Sequence, residues 1–159
     1  VNDVTKYLDE RDIAYKLFTH PPVDTVEAAQ QHCSHIPGLH CKNLFFRDPK
    51  GRNHLLVVLP NTKPLDIKYL GQITGYGRLS FASERRMMKY LGLEPGSVSP
   101  FGLINDRQSE VVVFLDEEVC NAPLVTFHPN DNRATLLMEK EMFDRFLTSV
   151  RNRIEVIRI

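Results

Sequence analysis

The chain has 159 residues, no tryptophan, only three cysteines, and a formal charge of zero from 20 basic and 20 acidic side chains. Each shortage excludes something. Cys33, Cys41 and Cys120 show no Cys-x-x-Cys spacing, so neither a disulfide framework nor a cysteine zinc site is expected. Reduced thiols fit a cytoplasmic setting. The balanced charge argues against a strong, general nucleic-acid binder, so an RNA partner would have to be met locally. No run of 18 apolar residues exists to span a membrane. The first residues are polar and charged (Asp3, Lys6, Asp9), unlike a signal peptide, and a start at Val1 implies trimming, processing or a boundary. Gly-x-Ser-x-Gly is absent, and neither Cys33 nor Cys41 has a triad context, so no covalent nucleophile stands out. His32 and His35 lie three apart on an expected helix, but no Cys, Asp or Glu pattern completes a site. No metal and no cofactor are expected.

What is present reads as an ordinary globular protein: 42% hydrophobic and 25% charged residues, enough length for a core, and one expected domain over 1–159. Periodicity predicts helices over 1–12, 24–33, 65–74, 83–91 and 140–150. Inward positions are Ile67, Leu70 and Ile73 on the third, and Met87, Leu91 and Met88 on the fourth. Asp24 and Glu27 have capping-box spacing. Strands are expected over 14–19, 41–47, 54–59, 79–82, 110–115, 124–127, 134–138 and 154–159. The turn residues Asp-Pro-Lys-Gly at 48–51 join two of them into a hairpin. The stretch 55–59 is apolar on both faces and belongs in the middle of a sheet. Strands and helices interleave with hairpins, which predicts an α/β (α+β) fold with a mixed, twisted sheet flanked by helices.

The densest turn chemistry lies at 93–106, where Pro95, Gly96, Pro100 and Gly102 rule out a helix interior or central strand. Most such clusters are surface turns. Glycine also lets another molecule approach main-chain N–H and C=O groups closely. Here the Gly-Ser-Val-Ser-Pro run at 96–100 precedes Phe-Gly-Leu-Ile-Asn-Asp, with Cys-Lys-Asn-Leu-Phe at 41–45 and Arg-Leu-Ser-Phe-Ala-Ser at 78–83 upstream and His-Pro-Asn-Asp-Asn at 128–132 downstream. In this order these blocks resemble the YbaK-like aminoacyl-tRNA deacylases. They look like the ProXp-ala branch, which is related to the editing insertion of bacterial prolyl-tRNA synthetase. The resemblance runs from His20 nearly to the end.

That resemblance implies a curved mixed sheet approaching a barrel. The implied activity is trans-editing: water attacks the aminoacyl ester of mischarged Ala-tRNA(Pro). The implied partners are the acceptor end of tRNA(Pro) and prolyl-tRNA synthetase. On an apolar strand a lysine ordinarily sits at an edge or snorkels to water. Lys42 matches the lysine the family needs for activity, and Asn43 matches its neighbour. The ammonium would hold a phosphate or ribose of the terminal adenosine, or stabilise charge on the ester oxygen. Gly96, Ser97, Ser99, Pro100 and Phe101 would be substrate-binding and Gly102 catalytic, with main-chain amides of this segment donating to the ester carbonyl. His128 is ordinarily a strand-end histidine; the resemblance makes it a substrate-orienting residue, not a general base. Ile36, Leu39, Phe45 and Phe46 are candidate walls of a pocket that passes alanine and excludes proline, though each is equally a core residue type. For RNA, Lys42, Arg47, Lys50 and Arg52 rank first, followed by Lys63 with Lys68, and by Arg85, Arg86 and Lys89. The competing readings are a Cys-tRNA(Pro) deacylase, a non-catalytic amino-acid or aminoacyl-tRNA binding module, and a domain excised from a synthetase.

Overall fold

The computed structural model describes residues 2–23 and 25–159. Six helices and eight strands alternate in the order expected of an α/β chain. The strands are β1 (Lys16–Thr19), β2 (Leu39–Arg47), β3 (His54–Pro60), β4 (Ser80–Phe81), β5 (Val111–Asp116), β6 (Leu124–Phe127), β7 (Ala134–Glu139) and β8 (Ile154–Ile157). The helices are α1 (Asn2–Glu10), α2 (Val26–Cys33), α3 (Ile67–Thr74), α4 (Glu84–Leu91), α5 (Glu117–Asn121) and α6 (Lys140–Ser149).

The strands form one mixed sheet in the order β1-β7-β6-β2-β3-β5-β8, with β4 attached to β2. β2 is antiparallel to β3 and parallel to β6; β3, β5 and β8 run parallel to one another. Every residue of β3 is buried, as expected of a strand without a polar face. The β2–β3 turn closes with Gly51 N–H donating to Asp48 C=O at 3.0 Å, and Gly51 takes the left-handed conformation at φ 67°.

The two faces of the sheet build two separate cores. One contains Phe45, Leu56, Val58 and Val113, packed against α1, α6 and the segment around Phe101. The other contains Phe46, Leu55, Val57 and Phe114, packed against Leu70 of α3 and Leu79. Side chains alternate along a strand, so Phe45 and Phe46 point to opposite faces. They therefore cannot line the same pocket.

Helix starts follow side-chain caps: Asp66 accepts from Tyr69 N–H and Ser83 from Arg86 N–H, both at 3.2 Å. Thr25 caps α2 by accepting from Ala28 N–H at 3.1 Å, while Asp24 of the expected capping box lies outside the described residues. Three expectations need correction. Ile73 and Met88 are exposed; α3 instead presses Leu70 and Gly71 inward. Residues 117–121, expected as a connection, form α5. The stretch expected as an irregular loop tightens into a 3-10 helix over Pro100–Asn105.

Candidate functional site

On one side β2 pairs with β3 continuously from Cys41 to Arg47. On its other edge it meets β6 at Leu39 and His40, and β4 at Phe46 and Arg47. Residues 41–44 between these contacts have no strand beside them among the described residues. The carbonyl of Phe45 points to this edge, accepting from Ala82 N–H at 2.9 Å. Main-chain direction alternates along a strand, so the N–H and C=O of Asn43 point the same way, into the gap. The Asn43 side chain adds a second orphan: its Oδ1 is buried and has no hydrogen-bond partner. Buried polar atoms are normally paired, so an unmet acceptor beside an open strand edge marks a place for a ligand.

Lys42 is half-buried, and its ammonium forms no ion pair or hydrogen bond among the described residues. It pairs in register with Leu59, while Asn43 pairs with Val58. Lys42 therefore belongs to the face of Leu44 and Phe46, and Asn43 to the face of Phe45. Lys42 does not share a face with the 96–102 segment. The two neighbours flank the gap from opposite sides.

The 96–102 segment packs on the Asn43 face, where Leu93, Val98 and Phe101 join the core of Phe45 and Phe127. Gly96 holds a left-handed φ of 87°, which requires glycine. Buried Ser99 accepts from Phe101 N–H at 3.1 Å and donates to Asn130 Oδ1 at 2.8 Å. Through this pair the segment is fastened to the 128–132 turn. Gly102, Phe101 and Pro100 take structural places in the segment. Gly102 N–H already donates to Ser99 C=O at 3.1 Å, and a Cβ at Gly102 would lie 2.8 Å from Leu93. Gly102 is thus a packing glycine with no amide to offer. Phe101 is fully buried with its ring edge-on to Phe127 and Phe146, and Pro100 is buried as the first residue of the 3-10 turn. The amides of Gly96, Val98 and Ser99 donate to no acceptor among the described residues. Ser97 N–H turns back to Glu94 C=O at 3.1 Å.

His128 follows the end of β6. Its Nδ1 lies 2.9 Å from the Ala134 carbonyl. That contact places the proton on Nδ1 and leaves the Nε2 lone pair as an acceptor. Burial pushes its pKa down, against an upward pull from the bond to Ala134. His128 is therefore neutral at pH 7. His20 stands edge-on to it with centroids 6.3 Å apart, held by Nε2 to Thr135 Oγ1 at 2.8 Å. His20 and Asn130 were missed as site residues; each is placed by partners distant in sequence.

Of the four wall candidates, Leu39 and Phe45 share the Asn43 face. Leu39 is half-buried and Phe45 is buried. Ile36 sits in a third cluster with Val23 and Cys33, its carbonyl 2.7 Å from His40 Nε2. Phe46 is on the opposite face. The Cys41 thiol is pushed up to about 12 by burial and the Asp116 carboxylate, which suits an inert thiol and not a nucleophile. His35 is edge-on to Phe18 at 6.3 Å, and no group of three or more His, Cys, Asp or Glu that could hold a metal occurs among the described residues. No helix among them is long and apolar enough to cross a membrane.

Comparison with known proteins addresses the same region. The profile of the aminoacyl-tRNA editing domain matches residues 20–146. The prolyl-tRNA editing protein ProX of Acetoanaerobium sticklandii is 41% identical over 152 residues, covering 96% of this chain and 93% of that protein. The prolyl-tRNA synthetase associated domain-containing protein 1 of Xenopus laevis is 35% identical, covering 91% and 88%. A solved structure of a proposed trans-editing enzyme for prolyl tRNA synthetase superposes with a TM-score of 0.74 at 22% identity, covering 99% of this chain and 96% of that one, which shows a shared fold. The chain belongs to the aminoacyl-tRNA editing domain family.

Proposed function

We propose that this protein is a cytoplasmic trans-editing hydrolase that removes the amino acid from mischarged tRNA(Pro), with alanine as the amino acid it removes. The observation that carries the reading is the unpaired edge of β2 at 41–44, with the orphan Oδ1 of Asn43 beside it. The relatives' names supply the substrate class: a prolyl-tRNA editing protein and a prolyl-tRNA synthetase associated domain protein. They also make prolyl-tRNA synthetase the natural supplier of the mischarged tRNA.

The ester is already activated, so positioning and oxyanion stabilisation suffice. Water adds to the ester carbonyl carbon. The carbonyl oxygen gains negative charge, which the amides of Gly96, Val98 and Ser99, without an acceptor among the described residues, are available to stabilise. The C–O bond to the terminal ribose then breaks. One water proton ends on the ribose oxygen, giving free amino acid and uncharged tRNA. His128 Nε2 accepts a hydrogen bond from the water and aims it. Asn43 holds the aminoacyl end through its amide side chain and main chain. The unpaired Lys42 ammonium, across the strand, holds the terminal ribose-phosphate. Leu39 bounds the pocket for the methyl group. A methylene is worth ~1–3 kcal/mol in an apolar pocket, too little for a synthetase to reject alanine, whereas a small second pocket excludes proline by size.

Incubating the protein with Ala-, Cys- and Pro-tRNA(Pro) and following ester loss tests this. Loss selective for alanine is expected. Cysteine-selective loss would move the specificity, and binding without loss would leave a non-catalytic module. Lys42→Ala should slow deacylation at least tenfold with the fold intact, because Lys42 has no partner to lose. A wild-type rate would remove Lys42 from the site.

A further inference from the structure

Four cations without a carboxylate partner among the described residues, Arg47, Arg86, Lys89 and Arg107, lie close to one buried stack, away from the gap in β2. His54 is buried, with Tyr90 lying over it at 4.0 Å between centroids and Phe45 stacked beside it at 5.7 Å. Arg86 donates to His54 Nε2 at 3.0 Å and to Gly51 C=O at 3.1 Å, which ties the β2–β3 turn to α4. Arg47 pairs in register with His54, and the Lys89 ammonium sits 5.1 Å from the Tyr90 ring centroid. Lys89 and Tyr90 also line a cleft of about 340 Å³ whose far wall carries Arg107. None of Arg47, Arg86, Lys89 and Arg107 is within ion-pair distance of a carboxylate; the pairs among the described residues lie elsewhere. Asp106 at the cleft floor is occupied, accepting from Val111 N–H and Asn152 Nδ2, both at 2.8 Å. Glu110 stands on the rim as a free carboxylate.

Unpaired cations placed around a neutral imidazole and a tyrosine repel one another unless an anion joins them. Arg86 cannot swing away, because its two hydrogen bonds fix it. We propose that this cleft between α4 and the 105–110 segment is a phosphodiester anchor that grips the RNA backbone at a distance from the ester. It lies on the face of β2 that carries Asn43. Arg47 is four residues from Asn43, which is about 13 Å along a strand. That span is about two nucleotides, so an RNA whose 3′ end enters the gap would pass over the cleft. The inference rests on the RNA substrate proposed above. It also gives a chain of zero net charge a local contact for a polyanionic partner, through Lys89 and Arg107 in the cleft and Arg47 and Arg86 beside the His54 stack.

The test uses Lys89→Glu with Arg107→Glu, two exposed side chains with no hydrogen bond to lose. Lys6→Glu with Arg151→Glu serves as a control of equal charge change on remote surface. Binding of uncharged tRNA is followed by fluorescence anisotropy at several salt concentrations. Deacylation is followed on full aminoacyl-tRNA and on a 2′(3′)-aminoacyl-adenosine, too short to reach α4. The cleft variant should bind tRNA at least tenfold more weakly, with a log–log salt slope shallower by about one unit per lost phosphate contact. Its KM for aminoacyl-tRNA should rise while kcat and hydrolysis of the short ester stay unchanged. Unchanged binding, an equal loss in the control, or an equal loss on the short ester would overturn the anchor. If the wild-type protein hydrolyses neither ester, the catalytic reading fails, while the anisotropy still decides the anchor.

Discussion

Ser99 Oγ donates to Asn130 Oδ1 at 2.8 Å across 31 residues of sequence. Ser99 is fully buried and also caps the 3-10 turn, and Asn130 holds a left-handed φ of 60°. This pair ties the 96–99 segment to the 128–132 turn, and the proposed reaction draws on both. Asn130→Ala removes the acceptor, strands the buried Ser99 hydroxyl and strains the backbone. It should cost about 1–3 kcal/mol of stability and lower the deacylation rate about tenfold. Asn130→Asp keeps an acceptor at the same place and tolerates the left-handed conformation, so it should restore most of both. Denaturant unfolding and initial rates on the two variants check this; equal behaviour of the two would deny the pair its role.

His54 gives the fold a defined response to acid. Burial pushes its pKa down to about 4, helped by the neighbouring Arg86 guanidinium. The imidazole is neutral when folded and takes a proton near pH 6.5 when unfolded. Between those values the unfolded chain binds more protons, so stability rises with pH. The contribution is complete above about 6.5 and is lost as pH falls towards 4, by at most about 3 kcal/mol. In His54→Gln this part of the slope should vanish. Urea midpoints of the two proteins between pH 4 and 7 measure it, and parallel curves would refute it.

Gly71 faces the chain reversal after α3. A Cβ there would collide with the carbonyl oxygen of Gly77, a main-chain atom that cannot rotate aside. The same two residues are hydrogen-bonded, Gly77 N–H to Gly71 C=O at 3.3 Å. Gly71→Ala should therefore destabilise the protein by more than about 2 kcal/mol, although alanine is the better helix former. Gly77 has open space where its Cβ would be, but its φ of 81° makes Gly77→Ala costly for a different reason. Thermal unfolding of Gly71→Ala at or above the wild-type midpoint would contradict the clash.

These relationships separate what the sequence discloses from what it hides. The start of α4 at Ser83, the 48–51 turn and the buried β3 are local, and they were readable because each is set by residues close together in the chain. Gly71 was passed over for Ile73, because apolar periodicity cannot register a helix position chosen for its missing side chain. α5 was lost because Glu-Glu-Val-Cys-Asn is too short to show a period. Lys42 and Asn43 were found together through a resemblance, but the gap that gives Asn43 its free groups depends on where β6 and β4 stop along β2. The Ser99–Asn130 tie likewise requires two distant loops to be neighbours.

Strand alternation settles which candidate walls remain testable as walls. Phe46 is fully buried among Leu55, Leu70 and Phe114, and it stacks on Phe81 at 4.7 Å, all on the face away from Asn43. Leu39 lies on the Asn43 face, half-buried, where β2 begins to part from β6. Phe46→Ala should therefore cost about 3–5 kcal/mol of stability through the cavity it leaves, with the preference for alanine over proline unchanged at temperatures where the variant is folded. Leu39→Ala should cost less stability and admit larger groups, raising hydrolysis of Pro-tRNA(Pro) relative to Ala-tRNA(Pro) by tenfold or more. A single methylene shifts such a ratio by only 10–200-fold, so the removal of three carbons beside the substrate should register clearly. If Phe46→Ala alters selectivity and Leu39→Ala does not, the aminoacyl pocket lies on the α3 side of the sheet, with Lys42 and not Asn43 as its floor.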